Sequence, residues 1–163
     1  MIELNQRVDL LRKIHLFAGL KLDQIAGVAA IFEEREMPNG QTVFRYGDKP
    51  DGFYILFKGR VKVTRPGKKG EGEDLLARLT VGDYFGEEAL FENKDRSATI
   101  TTIDNCVFLF LSRAGFESLL NKHGNLKPNF MVAIKSRKLA RATKFNWLGP
   151  REVVYFVARR HVI

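Results

Sequence analysis

From residue 33 to residue 111 the chain is cut into short apolar runs of strand length. TVF (42–44), FYILF (53–57), RVKVT (60–64), LLARL (75–79), SATITTI (97–103) and CVFLFL (106–111) are rich in Val, Ile, Phe and Leu. Turn signals separate them: PNG at 38–40, YGDKPDG at 46–52, KG at 58–59, the polar GKKGEGED at 67–74 and VGD at 81–83. RVKVT alternates, which places Val61 and Val63 on one face and Arg60, Lys62 and Thr64 on the other. Strands recurring at this spacing predict an antiparallel sandwich or barrel.

A helical period flanks this region on both sides. Val8, Leu11, Ile14, Leu16 and Phe17 predict an amphipathic helix over 7–18, and LDQIAGVAAI a second over about 22–31 with Asp23 as its cap. Ser112 caps a helix reaching about residue 123, and Pro128 opens another that runs to about 144. The predicted fold class is α+β: an antiparallel, jelly-roll-like β-barrel flanked by N-terminal and C-terminal helices, forming one domain over 7–144.

Charge and cysteine content narrow the function classes. The 163 residues carry 27 Lys+Arg against 19 Asp+Glu, a formal net charge of +8. Residues 1–122 hold 18 basic and 18 acidic side chains, so the whole excess lies in 123–163, where Glu152 is the single acid. A binder of nucleic acid along its whole surface is not expected from a chain whose larger part is neutral. Cys106 is the sole cysteine, which excludes an internal disulfide and a cysteine zinc site and suits a reducing, cytoplasmic setting. Its place inside a strand run predicts a buried, inert thiol. The three histidines, His15, His123 and His161, form no metal spacing. No apolar run approaches the roughly 20 residues that span a bilayer, and MIELNQRVDL lacks the pattern of a signal peptide.

The chemistry concentrates in residues 83–101, DYFGEEALFENKDRSATIT. Gly86 after Phe85 ends a strand and permits close backbone approach. Residues 87–91 suffice for about one helical turn, whose free N–H groups favour an anion. The polar ENKD then returns the chain to a strand opened by Arg96 and Ser97. One arginine, one hydroxyl and a helix N-terminus suit one phosphate, while the Glu87 carboxylate suits a sugar hydroxyl beside it. A cyclic nucleotide offers both groups on one compact ring system. No nucleophile paired with a base, no metal cluster and no P-loop is present, so no catalytic residue and no enzyme activity are expected.

Here the chain resembles the cyclic nucleotide-binding domains of catabolite activator proteins, protein kinase A regulatory subunits and nucleotide-gated channels. The resemblance covers roughly residues 8–144. The family's phosphate-binding cassette, F-G-E-x-A-L followed by R-[SAT]-A-[TS]-[VI], stands here as FGEEALFENKDRSATI, and Gly47, Gly59 and Gly82 match its structural glycines. The resemblance implies that Glu87 accepts the ribose 2′-OH and that Arg96 holds the exocyclic phosphate oxygens. It implies backbone donors at Gly86, Glu88, Ala89, Ser97 and Ala98, with a hydroxyl from Ser97. Val63 and Leu76 would line the base pocket. The helix over 128–144 corresponds to the family's lid, from which one of Arg137, Lys138 and Arg141 would stack on the base. Ser97 after the cassette arginine resembles bacterial cAMP-responsive members, so cAMP is favoured over cGMP as ligand; no cofactor or metal is implied.

Plainer readings stand beside these. Arg96 could be a surface arginine paired with Asp95 or Glu92, Glu87 could simply start a helical turn, and the basic 128–144 helix could be a solvated face. Trp147 reads as a packing anchor. The functional expectation is a regulatory sensor that relays occupancy through its C-terminal helix to an effector. The alternatives are the sensor part of a DNA-binding regulator without its helix-turn-helix, or an interaction module with a vestigial pocket. No sequence-specific nucleic-acid partner is expected for this chain, and the resemblance leaves room for a homodimer. The tail, NWLGPREVVYFVARRHVI, reads as a linker with a strand over 153–158 and stops mid-pattern. That predicts a longer protein, with a membrane-anchored continuation after Ile163 as one form of it.

Overall fold

Every run between residues 42 and 111 expected to be a strand pairs antiparallel with another. The computed structural model describes residues 1–67 and 70–142, with the backbone alone at 140–142. The expectations for the tail, for Lys144 and Trp147 and for the Arg141 side chain lie outside what is described.

The strands are β1 (Glu33–Met37), β2 (Thr42–Phe44), β3 (Gly52–Lys58), β4 (Val61–Pro66), β5 (Glu73–Leu79), β6 (Tyr84–Phe85), β7 (Thr99–Thr102) and β8 (Cys106–Ser112). They form two four-stranded sheets, in the orders β1-β8-β3-β6 and β2-β7-β4-β5. The fold is the jelly-roll-like α+β arrangement expected.

The central pair, β3 and β8, is buried on both faces, which is why FYILF and CVFLFL read as continuous apolar runs. Register sets Phe53 against Leu111, Tyr54 against Phe110, Ile55 against Leu109 and Leu56 against Phe108. Alternation then sends Phe53, Ile55, Leu109 and Leu111 to a core shared with the helices. Tyr54, Leu56, Phe108 and Phe110 face the second sheet, where Val61, Val63 and Ile100 complete a second core.

Two strand expectations need correcting. β1 was not among the expected strands: EEREM has one apolar residue, and it is legible only as an edge strand paired to β8 by its backbone. Thr64 is buried rather than outward; β4 keeps its register with β7 there, and the extra residue opposite it is Leu76 of β5.

The helices are α1 (Leu4–Leu11), α2 (Leu22–Ile31), α3 (Glu87–Glu92), α4 (Arg113–Lys122) and α5 (Lys127–Ala142). The first is shorter than expected. Leu16 and Phe17, adjacent in sequence, are both buried in a separate 3₁₀ turn, His15–Phe17. Lys21, not Asp23, caps α2; its backbone N–H donates to Gln24 Oε1 at 2.9 Å. Ser112 caps α4 as expected, its Oγ accepting from Gly115 N at 3.1 Å. Edge-to-face rings fasten α4 and α5 to the sheet: Phe130 lies 5.3 Å from Phe116 and 5.9 Å from Phe53 between ring centres.

Candidate ligand-binding site

The cassette leaves β6 through Gly86, whose φ of +92° caps α3. A Cβ there would stand 2.8 Å from Arg96 Nη1, so both the backbone turn and the arginine's place require glycine. Arg96 is 2% exposed. The reading of it as a surface arginine paired with Asp95 or Glu92 is thereby corrected. Its Nη1 donates to Gly86 O at 2.8 Å, and its Nη2 donates to Gly52 O at 2.7 Å and to Asp51 Oδ1 at 3.0 Å. Its Nε is buried and has no hydrogen-bond partner among the described residues. Burial pulls the guanidinium pKa down and the Asp51 carboxylate opposes the shift.

The YGDKPDG turn makes this geometry. Arg96 N donates to Asp48 O at 2.8 Å and Gly47 N to Arg96 O at 2.9 Å, so the loop clamps the arginine's backbone while Gly52 and Asp51 hold its side chain. The sequence marks this segment as a turn with Gly47 as a structural glycine, and nothing in it singles out Asp51.

Glu87, at the start of α3, is fully buried. Its Oε1 accepts from Arg137 Nη1 at 2.9 Å, and Arg137 Nη2 also donates to Tyr84 O at 3.2 Å. Oε2 of Glu87 is buried without a hydrogen-bond partner among the described residues. Desolvation raises the Glu87 pKa, with the Arg137 charge as the main opposing influence. Next to this pair, Lys138 Nζ reaches Glu92 Oε2 at 2.6 Å, and Lys94 Nζ reaches Glu88 Oε1 and Glu92 Oε1 at 3.2 Å each. The basic residues of α5 with described partners thus grip the cassette helix instead of forming only a solvated face.

A narrow cleft is lined by Gly86, Glu88, Ala89, Arg96, Ser97, Ala98 and Arg137, together with Phe44, Phe85 and Ile100. Glu87 lies beneath Arg137 and is not part of the lining. Val63 and Leu76 also lie off it: Val63 is fully buried in the second core, and Leu76 packs against that core and borders a separate groove with Tyr46 and Arg65. Phe44 was missed, since a Phe in a strand run carries no sequence sign of facing a site.

Residues 34–123 match the family described as the cyclic nucleotide-binding domain. The cGMP-dependent protein kinase egl-4 of Caenorhabditis briggsae is 32% identical over 128 residues, covering 77% of this chain and 17% of the kinase. The CRP-like cAMP-activated global transcriptional regulator of Mycobacterium tuberculosis is 27% identical over 133 residues, covering 82% of this chain and 58% of the regulator. The catabolite activator protein of Thermus thermophilus has a similar structure, with a TM-score of 0.71 and 29% identity over 79% of this chain and 60% of that one. The chain thus spans less than two thirds of each relative. The family match, the antiparallel jelly roll and the cassette around Arg96 agree, and the chain belongs to the cyclic nucleotide-binding domain family.

Proposed function

We propose that this domain is a sensor that binds a cyclic mononucleotide, cAMP in preference to cGMP, in the cleft between the cassette and α5. The observation that carries the reading is the Arg96 guanidinium on the cleft wall, buried and hydrogen-bonded at Nη1 and Nη2, with Nε unpartnered among the described residues. A buried donor left unmatched is costly, and a phosphate oxygen is the acceptor whose charge also compensates the guanidinium. Oε2 of Glu87 is the complementary case, an acceptor suited to the ribose 2′-OH. Backbone N–H groups of Gly86, Glu88, Ala89, Ser97 and Ala98 would complete the phosphate and ribose contacts. The serine at 97 favours cAMP, and the relatives include both a cGMP-dependent kinase and a cAMP-activated regulator.

The output runs through α5. Arg137 covers Glu87, so a ribose reaching that carboxylate must share it or displace the arginine. Ligand therefore binds one placement of α5 more tightly than another and shifts the population between them. Arg137, Lys138 and Arg141 remain the candidates for contact with the base. The proposed setting is cytoplasmic, with the effector carried elsewhere in a longer protein.

Calorimetric titration with cAMP and cGMP, on the wild type and on Arg96→Ala, tests this. The wild type is expected to bind saturably with cAMP the tighter ligand, and Arg96→Ala to lose about 100-fold in affinity, the scale of charge-assisted hydrogen bonds. Absence of saturable binding by the wild type overturns the sensor reading in favour of a vestigial pocket. Unchanged binding by Arg96→Ala overturns the phosphate assignment.

A further inference from the structure

Phe44 sits at the end of β2, where pairing with β7 slips: Thr42 lies opposite Thr101, yet Phe44 lies opposite Ile100. An irregularity of this kind re-aims a side chain. The ring lines the cleft and is held by two buried rings, Phe85 at 5.8 Å and Tyr54 at 6.0 Å between centres. The guanidinium carbon of Arg96 lies 3.9 Å from the Phe44 ring centre, over its face.

This contact solves a specific problem for the arginine. A cation almost wholly removed from water needs compensation, yet every hydrogen-bond acceptor placed on it consumes an N–H that a ligand would use. Gly86 O takes one Nη1 hydrogen, and Gly52 O and Asp51 take both on Nη2. An aromatic face attracts the charge through its quadrupole and takes no donor. It covers one face of the guanidinium and leaves the in-plane Nε–H, unpartnered among the described residues, for an anion.

We propose that Phe44 is a positioning residue for the anion-binding arginine: its ring fixes the plane of the Arg96 guanidinium and compensates its charge while leaving Nε–H for the ligand phosphate. The inference rests on the reading of Arg96 as the phosphate arginine.

A double-mutant cycle with cAMP as probe tests it, using wild type, Phe44→Leu, Phe44→Tyr, Arg96→Ala and Phe44→Leu/Arg96→Ala. Phe44→Leu keeps an apolar side chain and is expected to weaken binding about five- to tenfold, while Phe44→Tyr stays within about twofold of wild type. On the Arg96→Ala background Phe44→Leu adds no further loss. A loss of the same size on both backgrounds, or none on either, overturns the proposal and leaves the sensor reading standing. Failure of the wild type to bind cAMP overturns both. A ligand-free readout keeps the stacking itself exposed to test: the Arg96 Nε–H resonance is shifted upfield by the ring current in wild type and Phe44→Tyr, and returns to its ordinary position in Phe44→Leu. An ordinary position already in the wild type sinks the stacking.

Discussion

Glu87 and Arg137 form the most consequential residue pair, because both are buried and each is the other's ionic partner. Desolvation alone would favour a neutral Glu87, and the Arg137 charge limits how far its pKa climbs. A carboxyl whose folded pKa lies above its unfolded value binds its proton more tightly when folded. Its contribution to stability is therefore full below the ordinary carboxylate pKa and is lost as pH rises through the raised value. Arg137→Leu removes the main influence holding the pKa down, and is expected to cost about 3–5 kcal/mol near neutral pH, as breaking a buried pair does. The cost shrinks as pH falls and Glu87 takes up a proton, and Glu87→Gln in the same chain recovers much of it. Urea unfolding at a series of pH values checks this; parallel stability curves for wild type and Arg137→Leu would contradict it.

At the scale of elements, α5 carries the proposed signal, and aromatic packing holds it in place. The Phe130 ring is fully buried and meets Phe53 of β3 and Phe116 of α4 edge to face. Phe130→Ala is expected to destabilise the domain by about 3–5 kcal/mol, the range for emptying a buried aromatic site. Equilibrium urea denaturation should show this as a lowered midpoint with an unchanged slope. A cost below about 1 kcal/mol would mean that α5 is not anchored through this ring. The elements differ in how much of them was legible beforehand. Strongly apolar β3 and β8 and the Ser112-capped α4 were plain, since periodicity and capping are local. β1 was not, because an edge strand needs only backbone pairing and EEREM has nothing apolar in alternation. The bulges at Thr42/Phe44 and Val63/Thr64 were equally hidden, since a register shift depends on the partner strand.

At the scale of the whole molecule, a ligand that binds only the folded form stabilises it by mass action. At 100 times its dissociation constant, cAMP should add about 2.7 kcal/mol, which raises Tm by roughly 5–11 °C for a domain of this size. Thermal unfolding monitored by circular dichroism is expected to show that rise for wild type and to lose most of it for Arg96→Ala; equal shifts in both would separate stabilisation from the arginine. Part of the +8 excess enters this balance, because residues 1–122 are neutral while Arg137, from the basic 123–163 segment, lines the cleft. The amino-acid sequence by itself determined the strand series, the flanking helices and the cassette with its Glu87 and Arg96, because these follow from periodicity and from residue spacing within one segment. Only the tertiary structure decided which groups those two residues meet. Asp51 and Gly52 reach Arg96 from 44–45 residues away, Arg137 reaches Glu87 from 50, and Phe44 reaches Arg96 through a shifted register. Contacts between distant segments are set by how the sheets and α5 pack, and no local pattern encodes them.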